Sequence, residues 1–366
     1  MRCVPLLAAA LLLTACPRER PTAHDATPTK RPDLSVPVAR YEHCTTRTAN
    51  KPLSPVRLFG AELTPATGSA VLRARSAPAG HRMVLGVLGD TREALPATLE
   101  QLQRLAQQFR RASVSAVVVL GGIDTSFEGI KQVLAPLRAA GPVLALPGDR
   151  ESRSGFCAAA ETERATDLVR VRALDVGWIG LVAVPGYHLP HHLMAREQGC
   201  SYDDPDIRGL LDLVQQLPAL RLLVAHGPPR GEGAQAVDRA LGQVNIGDPL
   251  LRRLMQEAQI GFGLFAHVHE SVGHATTVDG ARVRPMTWSS SLLLNVGAAD
   301  SVPHENLDGS WSRGNAAIVE LTDRCGVCGS GAPDSTACAC ARYRMLDLAR
   351  LPRENPDAGA GPLPPG

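Results

Sequence analysis

The chain is short of aromatic residues, of lysine, and of excess charge of either sign. Its 366 residues include 13 aromatics, 4%, and 38 basic residues against 36 acidic ones, a formal charge of +2. There is neither a stacking platform nor an electrostatic footprint, so no nucleic-acid partner is expected. Lysine stands only at positions 30, 51 and 131, against 35 arginines, a bias we read as genome composition. The apolar run Val4 to Leu13 is too short to span a bilayer. What is present is ordinary for a globular protein, 44% hydrophobic and 20% charged residues. At this length about 75% of the unfolded surface can be buried, which suffices for one large domain or two modest ones and excludes disorder throughout.

The ends of the chain read as envelope-directed. Residues 1–15 have the form of a signal peptide, with Arg2 ahead of the apolar run. Leu13-Thr14-Ala15-Cys16 resembles the bacterial lipobox, which implies cleavage before Cys16 and a lipid on its thiol. The expected partner there is a membrane, and the expected location is the bacterial cell envelope, on the periplasmic face or the surface of the outer membrane. Pro17 follows the cysteine, so the aspartate that favours inner-membrane retention is missing. Residues 16–55, dense in Pro, Thr and Arg, read as a lipidated N-terminus and flexible tether, and residues 351–366 as a disordered tail.

Seven cysteines remain once Cys3 leaves with the signal and Cys16 is lipidated. In an oxidising compartment Cys325, Cys328, Cys338 and Cys340 are expected to form disulfides within a Cys-rich segment, residues 325–350, rather than a zinc site. Cys157 and Cys200 flank one insertion and could staple it, leaving Cys44 as the odd thiol.

Residues 56–324 read as the folded domain. Strands are expected at Met83 to Leu88, Ala116 to Leu120, Val143 to Leu146, Trp178 to Val184, Leu220 to Ala225, Gly263 to Ala266, Arg282 to Thr287 and Ala316 to Leu321. Leu99, Leu102, Leu105 and Phe109 repeat at helical spacing, and a second helix should run to Ala140. Such alternation predicts right-handed βαβ units of an α/β fold, with ligands bound at the carboxyl ends of the strands. Those ends read Gly89-Asp90-Thr91-Arg92, Gly121-Gly122-Ile123-Asp124, Gly148-Asp149-Arg150-Glu151, His226-Gly227-Pro228-Pro229 and Ala266-His267-Val268-His269. Imidazole nitrogens and carboxylate oxygens delivered together are what a divalent transition metal requires.

This order resembles the calcineurin-like metallophosphoesterase superfamily, whose motifs run Asp-x-His, Gly-Asp-x-x-Asp, Gly-Asn-His-Asp/Glu, a lone His and Gly-His-x-His. His226-Gly-Pro-Pro-Arg-Gly, Val244-Asn-Ile-Gly247-Asp-Pro-Leu250, His267-Val-His269-Glu-Ser and Asn295-Val296-Gly297 resemble its His-Gly-Pro-Pro subgroup. The resemblance covers residues 83 to 321 and implies a four-layer α/β/β/α sandwich holding two metals. It places Asp90 and His269 at the first metal, and Asp149, His226 and His267 at the second. The chain departs from the pattern where Arg92 replaces a ligand His, Gly122 the bridging Asp, Asp149 an Asn, and Arg150 the catalytic His. Arginine offers only donors and cannot ligate a metal. The expectation is therefore an empty first position and at most one divalent metal, zinc, manganese or iron, at the second.

Two readings follow. One is a weak mononuclear hydrolase in which Arg92 and Arg150 clamp the phosphate of an ester. The other is a catalytically dead relic that binds an anion or serves as an envelope interaction module, with no metal and with a protein partner the sequence does not name. Asp124 could substitute as a ligand but reads better as a turn carboxylate, and Glu151 and Glu270 could orient their neighbours. His188, His191 and His192 read as a solvated loop, and Ser289 to Ser291 has no paired base in view.

Overall fold

The computed structural model describes residues 43–44, 53–66, 70–76, 81–324 and 339–351. The signal segment, Cys16, most of the tether, Cys325, Cys328, Cys338 and the tail beyond residue 351 lie outside the described residues.

In chain order the main elements are β1 (Val56–Leu58), β2 (Ala61–Pro65), β3 (Val71–Ala74), β4 (Arg82–Leu88), α1 (Pro96–Arg111), β5 (Ala116–Val119), α2 (Phe127–Leu137), β6 (Val143–Ala145), α3 (Arg153–Thr162), β7 (Thr166–Asp167), β8 (Ala173–Asp175), β9 (Gly180–Val184), α4 (Asp204–Val214), β10 (Arg221–Ala225), α5 (Pro249–Glu257), β11 (Phe262–Phe265), β12 (Ala275–Thr276), β13 (Leu292–Asn295), β14 (Asn315–Thr322) and β15 (Cys340–Asp347). Short two-stranded ribbons stand in the loops after β10 and β13.

One sheet has nine strands in the order β1-β2-β3-β8-β9-β10-β11-β13-β12, and the other six in the order β15-β14-β4-β5-β6-β7. Strands β9, β10, β11 and β13 are parallel, as are β4, β5, β6 and β7, so in each sheet the carboxyl ends share one edge. Alternation along β5 sets the layers, because successive side chains of a strand face opposite ways. Val118 packs with Leu85, Val87 and Leu144 against Leu181, Val224 and Leu264 of the larger sheet. Val117 and Val119 belong instead to the core that includes Leu102, Phe109, Ile130 and Phe156 of α1 to α3. Ile207 and Leu254 of α4 and α5 cover the far face of the larger sheet with Val182 and Leu223. The result is the expected α/β/β/α sandwich.

The helices begin where local chemistry starts them. Pro96 occupies the first turn of α1, and the Ser126 hydroxyl accepts the Gly129 N–H at the start of α2. At α4, Asp203 and Asp206 form a reciprocal capping box.

Three expectations are corrected. Residues 282–287 form no strand; Pro285 has no N–H to give a ladder, and the place beside β11 goes to Leu292–Asn295. Residues 340–347 of the Cys-rich segment are part of the smaller sheet, because β15 pairs with β14 along its whole length. Cys200 is bonded to Cys44, not to Cys157. Cys157 lies on the buried side of α3, outside any disulfide, and its thiol hydrogen-bonds Asp167. Cys340 is disulfide-bonded. Among the described residues no helix is long and apolar enough to cross a membrane.

Candidate metal centre

The carboxyl ends of the two sheets meet at one edge, where the chain turns through unusual backbone. Asp90 (φ 51), Arg92 (φ 58) and His267 (φ 68) are left-handed, a conformation that costs a non-glycine residue energy and is held only when its surroundings fix it. Here the fixing contacts are the Asp90 N–H to the Gly121 carbonyl and the Arg92 N–H to the Gly122 carbonyl, each 2.8 Å. The Asp90 Oδ2 also accepts the His267 N–H at 2.5 Å, which stitches one sheet to the other.

His226 is fully buried at the end of β10. Its Nδ1 donates to the Leu120 carbonyl at 2.8 Å, so the proton of the neutral ring sits on Nδ1 and Nε2 faces the site. Nε2 lies 3.1 Å from Asp149 Oδ1 and 3.1 Å from His267 Nδ1. Gly148 allows this approach, since a Cβ there would come within 2.6 Å of the His226 ring. One ligand atom from each of Asp90, Asp149, His226 and His267 lies within 4.8 Å of the others.

Asp90 thus stands with Asp149, His226 and His267, and not only beside His269. The reason is Gly122: a Cβ at that position would be 2.1 Å from Asp90 Oδ1, so the absent side chain leaves space that the Asp90 carboxylate takes. His269 remains at the margin. Its Nε2, 3.7 Å from Asp90 Oδ2, is too far for a hydrogen bond and has no other partner among the described residues. Its ring lies 4.4 Å from that of His304, tilted by 54°, and His304 is held by Asp300 at 3.0 Å.

The electrostatics describe a cluster with too much negative charge for its protons. Burial pushes Asp90 and Asp149 upward, yet the surrounding imidazoles outweigh it and hold both carboxyl groups below the usual range. Burial opposes the charging of His226, but Asp90, Asp149 and Glu151 raise it to about 10. His267, desolvated and 3.1 Å from His226, falls to about 4, because two adjacent rings cannot both be charged. The two carboxylates are therefore balanced by one added proton, the one that charges His226. A divalent cation would replace that proton and balance both carboxylates, and the anchored Nδ1 of His226 is the arrangement that metal-binding imidazoles show. The donor set of two nitrogens and two carboxylates suits zinc, manganese or iron.

The remaining candidates divide. Arg150 is buried, with Glu93 at 3.8 Å and an Nε that has no hydrogen bond among the described residues. Arg92 lies near enough to His269 to oppose its protonation. Asp124 is a turn residue: it accepts from the Ala94 N–H, the Ser126 N–H and the Ser126 hydroxyl. Glu151 is fully buried and accepts from the N–H groups of Ile123 and Gly148, tying two of the strand-end loops together; burial pushes it up to about 7. Asn295 does the same for the other sheet, donating to the carbonyls of Val237 and Val268 and to Ser271 Oγ while accepting from the Gly297 N–H. Ser289 bonds the Ser291 carbonyl and pairs with Ala341 in a local bridge.

Tyr187 is the residue that sequence reasoning missed. It follows the turn after β9 and lays its ring 4.5 Å from that of His267 and 6.1 Å from that of His226. The only signal was its place at a strand end, in the loop where the neighbouring histidines drew the eye. Of those, His188 points toward Asp248 at 3.9 Å, and His191 and His192 pack on each other at 4.4 Å.

No protein-family model matches the chain, and no curated protein matches it. Solved structures similar to it include a dimetal phosphatase from Danio rerio, 14% identical with a TM-score of 0.44, over 66% of this chain and 92% of that one. A purple acid phosphatase, PPD1, from yellow lupin seeds is 12% identical with a TM-score of 0.44, over 77% of this chain and 54% of that one. The phosphopantetheinyl hydrolase PptH of Mycobacterium tuberculosis is 14% identical with a TM-score of 0.39, over 60% of this chain and 91% of that one. Likenesses at this level assign no role to any residue of the site.

Proposed function

We propose that the chain is a metallophosphoesterase homologue that holds one divalent cation on Asp90, Asp149, His226 and His267 and hydrolyses phosphate esters weakly. The observation that carries this reading is the convergence of those four ligand atoms within 4.8 Å around an imidazole whose other nitrogen is tied to a backbone carbonyl. What a cation contributes in such a set is Lewis acidity toward a phosphoryl oxygen. The chain's own part is to fix the ligands through Leu120, Glu151 and Asn295, and to offer the permanent charge of Arg92 and Arg150 for a phosphoryl group. Gly122 and Arg150 supply neither a bridging carboxylate nor a proton donor for the leaving group, which is why the expected turnover is low.

The same two residues favour a second reading, an anion-binding relic without catalysis. Metal analysis of protein purified without chelator, with assays on p-nitrophenyl phosphate and bis-p-nitrophenyl phosphate in manganese, separates them. The hydrolase requires one bound metal per chain and turnover. His226→Ala should lower both by more than the about 10–100-fold that the loss of a ligand's hydrogen-bond partner costs. Metal-free, inactive protein would leave the relic.

We also propose that Cys16 carries a lipid and that the domain works in the cell envelope. Support comes from the lipobox-like Leu13-Thr14-Ala15-Cys16 and from the Cys44–Cys200 disulfide, which suits an oxidising compartment. Labelled palmitate should enter the chain in cells, and Cys16→Ser should abolish that labelling.

A further inference from the structure

Ten large apolar side chains stand exposed among the described residues, and their distribution is uneven. Eight lie on the connections that leave the edge holding the metal centre, among them Leu95, Met194, Leu241, Val244 and Trp311 on loops and Phe127 at the first position of α2. These connections follow β4, β5, β9, β10 and β13. Val278, in the turn after the antiparallel β12, and Met286, beside Tyr343 of β15, are the two that lie elsewhere. Single exposed apolar residues need no explanation, but eight of them on the connections from one edge do.

The structure also shows where the N-terminal segment meets the domain. Cys44 is bonded to Cys200, in the loop after β9, and the His43 carbonyl accepts from Arg153. The cysteine of the lipobox-like motif precedes Cys44 by 28 positions (44 minus 16). The first described residues, His43 and Cys44, are therefore held at the same edge from which the exposed apolar connections leave.

We propose that this edge docks on a lipid bilayer, so that phosphate-bearing headgroups are the ligands brought to Asp149, His267 and the two arginines. Trp311, 67% exposed at a ribbon of the loop after β13, and Val244, 54% exposed at a ribbon of the loop after β10, enter the interface. Tryptophan favours that depth because its ring is apolar and its N–H can stay with the headgroups. Arg196, Arg230, Arg239 and Arg313 share these connections with Glu93, Glu197, Glu232, Glu305 and Asp308, so the attraction must come from apolar contact rather than net charge. Docking does not depend on the proposed catalysis; only the fate of the headgroup rests on that reading.

The test uses the mature chain, residues 16–366, oxidised and carrying Cys16→Ser so that no acyl group of its own can anchor it. It is floated with vesicles of phosphatidylethanolamine and phosphatidylglycerol, and with vesicles of phosphatidylcholine, while tryptophan emission is followed. Docking predicts flotation with both, a blue shift, and quenching by brominated acyl chains. Trp311→Ser with Val244→Ser should weaken binding about tenfold or more, as the loss of two buried apolar side chains requires. Both positions are exposed, so a folded variant is expected, and its thermal transition checks this. Chelator-treated protein should bind equally well, so a failure of the metal site alone would show in the hydrolysis assay and not here. Absence of vesicle binding, binding unchanged in the double variant, or a dimer that buries Trp311 instead would each overturn the proposal.

Discussion

At position 122 a side chain would have to enter space already filled by the Asp90 carboxylate, from a backbone held at φ 66. An acidic residue placed there, as in the Gly-Asp-x-x-Asp motif that this segment resembles, should therefore not bring in a second metal. Gly122→Asp is expected to destabilise the fold by about 1–3 kcal/mol, read from denaturant unfolding, and to lower metal occupancy in the same preparation. Gain of a second metal would contradict the geometry. Asp149, His226 and His267 could be read from the sequence because each stands directly after a buried apolar run. The position of Asp90 could not, since it follows from a missing side chain 32 residues later and from a left-handed turn that no local pattern announces. Nor could Tyr187, whose contact with His267 arises between two loops distant in sequence.

The strands that build the site were legible because they are buried on both faces and read as unbroken apolar runs, as in β5 (Ala116–Val119) and β10 (Arg221–Ala225). The strands toward the margins of the sheets were not. In β1 to β3 exposed and half-buried residues interrupt the run, and β15 is set by pairing with β14 more than by its own polar sequence Cys340–Asp347. Helix α4 gives a prediction at this scale. Burial, helped by the charge of Asp203, raises Asp206 in the capping box from 3.8 to about 6. Its neutral form is thus the one the fold prefers. The associated stability is complete below the unfolded value of 3.8 and is lost as pH rises through about 6. Unfolding free energies measured from pH 3.5 to 7 should fall more steeply in the wild type than in Asp206→Asn across that window; parallel curves would mean that Asp206 titrates normally.

Over the whole molecule, the Cys44–Cys200 bond closes a loop spanning 156 positions and holds the N-terminal segment against the loop that carries Tyr187. By chain entropy a closure of this length stabilises by up to about 5 kcal/mol. Reduction, or Cys44→Ser with Cys200→Ser, should lower the thermal midpoint by several degrees, measured by calorimetry in the presence and absence of reductant; an unchanged midpoint would show that the crosslink adds nothing to the fold. The pairing of the smaller sheet has a further outcome. Strand β4 starts at residue 82 yet takes its neighbour from β14 at residues 315 to 322, and β14 takes its own from β15 at residues 340 to 347. The smaller sheet cannot be completed until residue 347 has been synthesised, so its closure is a late event that carries the loop-closure cost of joining segments more than 200 positions apart.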